Sequence, residues 1–254
     1  MTRTAVRLLE STTAKLAPAP DANPLLPLIA SGAAGLDTLA ALAMEQRFVI
    51  AADLLSFRRL AERSATEEPA GAPFFEMLAE GEAVAAERLG AYAEACGVDG
   101  RRAAAYEPLP GCQAYPSYVA RLALTASPAD VVLALSANFA SWGGYCAAIA
   151  KALRHHYAFT DEACAFFDLF AEPSPELEER ARTAVQAGWD AGRIDEHLVA
   201  RHGRLLQSYE SMFWHTLAPR QGRGALSSMR LPPRGRDQPR TSRSGPGPDP
   251  GAAP

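Results

Sequence analysis

Two carboxylates on otherwise apolar helix faces are the residues in this chain best placed to do chemistry. Asp53 shares its helical phase with Val49, Ile50, Phe57 and Leu60, so the periodicity points its side chain inward. Glu210, in "LLQSYESMFWHTL", shares its face with Leu206, Phe213, Trp214 and Leu217. An inward carboxylate without a basic neighbour is costly unless it is hydrogen-bonded or lies beside a wet cavity. Such groups often have raised pKa values and serve as general acids or bases. The other reading is a carboxylate satisfied by a buried arginine or a helix N-terminus, and the sequence leaves both open.

Asn138 belongs to the same class. In "SANFASWGGYC" its face carries Leu135, Trp142 and Tyr145, an aromatic lining with one amide. The adjacent Gly143-Gly144 pair costs about 1 kcal/mol per residue in helix propensity. That cost suits a place where a neighbouring backbone or a ligand must come close. Tyr115 and Tyr118, three apart at an expected helix start, could turn hydroxyls into the same cavity, and Gln46 lies two turns before Asp53 on one face. The histidines give no metal-ligand spacing: His155 and His156 are adjacent, His197 and His202 are five apart, and no Glu-x-x-His pair faces inward. No metal and no cofactor is expected, and no G-x-S-x-G, phosphate-loop or dinucleotide fingerprint occurs.

These residues need helices to hold them. Apolar spacing predicts helices over 36–64, 74–96, 115–125, 127–153, 160–170, 176–191 and 195–217, with "SPAD" and "SPEL" as Ser-Pro starts. No strand alternation lasts more than a few residues, so the fold class is all-α, with seven or eight helices around one core. A Pro-punctuated leader, 1–20, is expected to be partly ordered. Residues 21–218 form the helical domain. From Pro219 onward seven Arg face two Asp among eight Pro and six Gly, a composition that cannot offset the entropy of ordering, and 219–254 reads as a disordered tail.

Composition excludes several classes. The overall net charge is −4 and the tail holds +5, so the body carries −9, which speaks against direct nucleic-acid binding. No window approaches about 18 uninterrupted apolar residues, so no membrane span is expected. Cys96, Cys112, Cys146 and Cys164 have no CxxC spacing and read as buried free thiols in a cytoplasmic protein.

Five stretches in order, "NPLLPLIASGAAGLDTLAAL", "QRFVIAADLLSFRRLAERS", "YPSYVARLA", "ALSANFASWGGY" and "LLQSYESMFWHTLA", resemble the TenA (thiaminase II) family and its relative PqqC over roughly residues 20–218. Glu210 followed by Phe213 and Trp214 is the most specific piece, and the Tyr-x-x-Tyr of Tyr115 and Tyr118 comes next. The resemblance implies a haem-oxygenase-like helical bundle, assembled as a homodimer or homotetramer. It also implies hydrolysis of thiamin or its aminopyrimidine breakdown products without metal or haem. Glu210 matches the family's catalytic Glu and Tyr115 its pocket Tyr. The substrate-anchoring Asp falls at Asp53 in one register and at Gln46 in another. The nucleophilic Cys that precedes a Phe is replaced here by Asn138, before Phe139, and expected aromatic positions become Ser56 and Phe170. An amide cannot replace an activated thiolate, yet a Cys-less branch of the family acts on related pyrimidines.

The leading expectation is therefore a hydrolase for a small aromatic heterocycle. In it Glu210 is the acid/base, Asp53 or Gln46 anchors a ring amino group, Tyr115 and Asn138 orient the substrate, and Trp142, Tyr118 and Phe213 line the pocket. The alternatives are a ligand-binding or regulatory protein without chemistry, and a PqqC-like cofactor-independent oxidase, which would need an inward histidine cluster.

Overall fold

Pro69 stops one long helix and, a single 3-10 turn later, the next begins. A residue before proline is pushed out of helical conformation, and Glu68 accordingly sits at φ −147° and ψ 72° between α3 (Leu36–Glu67) and α4 (Ala72–Ala95). This α3–α4 hairpin is the longest packed pair in the fold. The computed structural model describes residues 5–218 of the 254. The tail expected from residue 219 and the first four residues of the leader lie outside the described residues.

Around the hairpin the chain adds α1 (Ala5–Lys15), α2 (Leu25–Ala30), α5 (Gly100–Ala104), α6 (Pro110–Thr125), α7 (Pro128–Tyr157), α8 (Asp161–Ala171), α9 (Pro175–Asp190) and α10 (Glu196–Leu217). The described residues contain no strand, so the fold is all-α. Three helices go beyond the sequence expectation. Helices α2 and α5 are single turns of six and five residues, too short for periodicity to reveal. Helix α1 lies within the leader, and buries Ala5 and Leu8 where it packs on α7 and α9. That stretch belongs to the folded body.

Helix α6 begins earlier than its pattern suggests. "LPGCQA" reads as a loop, yet Pro110 occupies the first turn, where its missing N–H costs nothing. Tyr115 consequently sits in the second turn and not at the start. The approach to α6 is fixed by Glu45 of α3, which is 0% exposed. Its Oε1 accepts from the Tyr106 hydroxyl and the Leu109 amide, both at 2.7 Å, and its Oε2 accepts from Gln113 Nε2 at 2.8 Å.

Helix α7 is the central helix, packed by α8, α10, α1, α2 and α9. Among the described residues it is the one helix long and apolar enough to cross a membrane by length and composition, and here it packs against five other helices. Ser127 stands at its N-cap without a side-chain cap bond. Its hydroxyl donates to Glu68 Oε1 (2.9 Å), and Glu68 Oε2 accepts the Ala129 amide (2.8 Å), so a carboxylate from the hairpin turn does the capping. Asp130 accepts the Asp195 amide at 3.0 Å, which pins the start of α10 to the start of α7. Asp195 in turn caps α10 through the His197 and Leu198 amides.

Glu45→Ala removes a fully buried acceptor and strands its donors, so it should destabilise the fold by about 3 kcal/mol, the scale of several hydrogen bonds to a charged group. Denaturant unfolding measures this. A loss under about 1 kcal/mol would show that other contacts hold the α5–α6 connection.

Candidate functional site

Asp53, Tyr115, Asn138 and Glu210 come from α3, α6, α7 and α10, and all four line one cavity of about 290 Å³. Gln46, Trp142 and Phe213 line it as well. The walls are otherwise apolar, with Val49, Ile50, Leu78, Phe139, Phe170 and Leu177 among them. Its size suits one substituted ring.

A chain of hydrogen bonds runs across the cavity wall. The Tyr115 hydroxyl donates to Asn138 Oδ1 at 3.0 Å, Asn138 Nδ2 donates to Glu210 Oε2 at 2.5 Å, and Trp214 Nε1 donates to Glu210 Oε1 at 3.3 Å. With Glu210 ionised, the amide nitrogen must face the carboxylate, which leaves Asn138 Oδ1 to accept from the Tyr115 hydroxyl. Asn138, 3% exposed, therefore occupies the position between Tyr115 and Glu210 with both ends of its amide engaged. Burial pushes the Glu210 carboxyl up to about 7, against the opposing pull of the Trp214 and Asn138 hydrogen bonds. A group that titrates there can both accept and return a proton near neutrality.

The aromatic wall follows from the α7 sequence. Trp142 stacks on Trp214 (centroids 6.0 Å apart, planes at 28°) and meets Phe170 edge-on at 5.6 Å. Gly143 explains how Phe170 comes so near: a Cβ there would lie 3.0 Å from the Phe170 carbonyl oxygen. Gly144 has open space around it and no such duty.

One placement differs from expectation. Tyr118 lies outside the cavity, with its hydroxyl 2.9 Å from His202 Nδ1 and its ring against Tyr209. Three helical residues turn about 300°, so Tyr118 departs from the direction of Tyr115 by about 60°, which carries it to the far side of the α6–α10 contact. Cys146, eight residues after Asn138, is buried and does not line the cavity. None of the cavity's lining residues is a histidine.

Glu82 of α4 is the cavity residue that periodicity could have found and did not. It follows Phe75, Leu78 and Ala79 and precedes Ala85 and Leu89 in phase, but Glu80 and Glu87 beside it make the stretch look like a solvated acidic face. It stands close enough to Asp53 to feel that residue's charge. Burial pushes Asp53 up to about 8, and burial together with the Asp53 charge pushes Glu82 well above its ordinary value. Glu82 keeps some accessible surface, as a side chain opening on a cavity must, while crowded enough to be desolvated.

A family profile described as the TENA/THI-4/PQQC family matches residues 56–217, well over half of the chain. The chain belongs to that family. Because the TENA/THI-4/PQQC match begins after both Gln46 and Asp53, it does not choose between them as the Asp position, and both reach the cavity. Two solved structures share the fold. A domain of unknown function with a heme oxygenase-like fold from Shewanella denitrificans OS217 superposes with a TM-score of 0.60 at 14% identity, covering 84% of this chain and 88% of that one. A TenA homologue protein from P. horikoshii OT3 gives a TM-score of 0.56 at 19% identity, covering 84% and 95%. The bundle is thus haem-oxygenase-like. Among proteins with curated descriptions, none matches the sequence.

The raised Asp53 carboxyl has a consequence for stability. Its folded value of about 8 lies above the ordinary 3.8, so folding favours the protonated form. The contribution is fully present below about pH 4 and is lost as pH rises toward about 8. Asp53→Asn should therefore raise the melting temperature more at about pH 8 than at about pH 5. Equal shifts at both would show that Asp53 is not desolvated.

Proposed function

We propose that this protein is a hydrolase of thiamin-related aminopyrimidines, or of a closely similar heterocycle, and that it works without a covalent cysteine adduct. The observation that carries this reading is the placement of Glu210, with a carboxyl that titrates near neutrality, in an aromatic cavity of single-ring size. In the proposed reaction Glu210 removes a proton from water as the water oxygen bonds to carbon. The carbon–nitrogen bond then breaks, and Glu210 returns the proton to the departing amine. Asn138 keeps the carboxylate oriented, Tyr115 keeps Asn138 oriented, and Trp142 and Phe213 confine the ring. Asp53, with Gln46 beside it on the same helix face, receives the ring's amino group.

Position 138 argues for direct water attack over a thiolate route. The four cysteines are buried, and burial and the Glu210 charge both push the Cys146 thiol well above its ordinary range, the opposite of an activated nucleophile. Free buried thiols also suit a cytoplasmic setting, and by resemblance to its family the protein is proposed to act as a homodimer or homotetramer.

A second reading, a ligand-binding protein with no turnover, has one observation in its favour: both Glu210 oxygens already hold a hydrogen-bond donor. Turnover separates the two. Glu210→Gln should lower kcat for ammonia release from a thiamin-derived aminopyrimidine by about a hundredfold. Thiol alkylation of the folded enzyme should leave the rate nearly intact. Binding of aminopyrimidines with no product in the wild type would favour the second reading, and loss of activity in a folded Cys146→Ser variant would contradict the mechanism.

A further inference from the structure

Gly81, inside α4, leaves room within the molecule that its neighbours do not fill. Other glycines of the bundle have a packing reason: Gly111 makes way for Thr216, Gly188 for Ala129 and Gly203 for Leu16. At Gly35, Gly90, Gly97, Gly100, Gly144 and Gly192 an added Cβ would meet nothing within 4 Å, but all six are exposed, so the open space is solvent. A Cβ at Gly81 would likewise meet nothing within 4 Å, yet Gly81 is half-buried and lines the cavity. Glycine is the poorest helix former after proline, and no close contact requires it here. The space its side chain would take therefore belongs to the cavity.

The surroundings define what suits that space. A helical side chain leans toward the N-terminus and covers the turn before its own Cα, so the open place lies over the turn that carries Met77 and Leu78. Both line the cavity, and they stand only about 40° and 60° round the helix from Gly81. Glu82, also in the lining, is turned about 100° away from it. Leu177 of α9, a helix that packs on α4, adds a further apolar lining residue. The polar groups used in the proposed chemistry come from α3, α6, α7 and α10, so α4 is left to contribute shape.

We infer that Gly81 is a specificity-determining residue: with Met77 and Leu78 it forms a slot for an uncharged apolar substituent, an alkyl chain or a second ring, carried by the heterocycle in the cavity. The inference rests on the cavity being the binding site proposed above and adds the shape of its ligand. It does not require turnover. A bare pyrimidine leaves the slot to water, whereas a substituted one buries apolar surface there. A larger residue at position 81 takes the slot for itself.

The test is calorimetric titration of the full-length protein with 4-aminopyrimidine and with 4-amino-5-benzylpyrimidine. The benzyl probe should bind the wild type at least about tenfold more tightly. Gly81→Leu should remove about tenfold or more of that affinity while leaving 4-aminopyrimidine within about twofold. Gly81→Ala and Gly81→Leu should melt no lower than the wild type, because a better helix former enters open space. Gly90→Leu, which stiffens the same helix at an exposed glycine, should leave both affinities unchanged. A lower melting temperature for Gly81→Ala would show that the space is already filled and would overturn the slot. So would equal binding of the two probes by the wild type, a matching loss in Gly90→Leu, or an equal loss of both probes in Gly81→Leu, which would make position 81 a gate on entry. Aminopyrimidine turnover that ignores Gly81→Leu whatever the substituent would sink this inference alone. A benzyl preference lost in Gly81→Leu, with no aminopyrimidine turned over, would sink only the proposed hydrolysis.

Discussion

The hydrogen bond from Asn138 to Glu210 is the contact on which the rest of the site depends. It joins the central helix α7 to the last helix α10 inside the bundle, where a lone carboxylate would be expensive. Tyr115 steadies the amide from one side and Trp214 steadies the carboxylate from the other. The outer structure serves to bring these four residues together. Glu68 caps α7 and Asp130 anchors the start of α10 to it, while Glu45 sets the approach to α6. Polar side chains remote from the cavity thus determine where its polar atoms lie.

The same bond gives the site its order without a thiol at position 138. A thiol can donate one weak hydrogen bond, whereas an amide donates and accepts at once. Asn138 therefore bridges Tyr115 and Glu210 in a way that a cysteine could not. Asn138 supplies no nucleophile but gives the carboxylate a fixed partner, and the proposed hydrolysis accordingly uses water as the attacking group. Asp53 and Glu82 add two further carboxyls to the cavity lining.

Much of this was legible in the sequence, and what escaped has physical reasons. Seven long helices follow from apolar spacing because each buries a continuous face. The inward phases of Asp53, Asn138 and Glu210 stand out because their neighbours on the same face are large and apolar. Glu82 was hidden because its inward neighbours include alanines, and flanking glutamates imitate a solvated surface. Tyr118 was misplaced because a three-residue step looks like one face in a pattern but turns about 60° away in space. Helix α1 was obscured because only two of its residues, Ala5 and Leu8, are buried. The cap by Glu68 joins residues about sixty positions apart, and no local motif encodes it.

The central claim is that Glu210 is held with a carboxyl that titrates near neutrality while bonded to Asn138. Carbon-13 NMR of the protein labelled at glutamate side-chain carboxyls, followed across pH and compared with Glu210→Gln, measures it directly. The account predicts one glutamate resonance with a midpoint near pH 7, absent in the variant and displaced when Asn138 is changed to Ala. A Glu210 resonance that titrates near the ordinary glutamate value of 4.5 would contradict it.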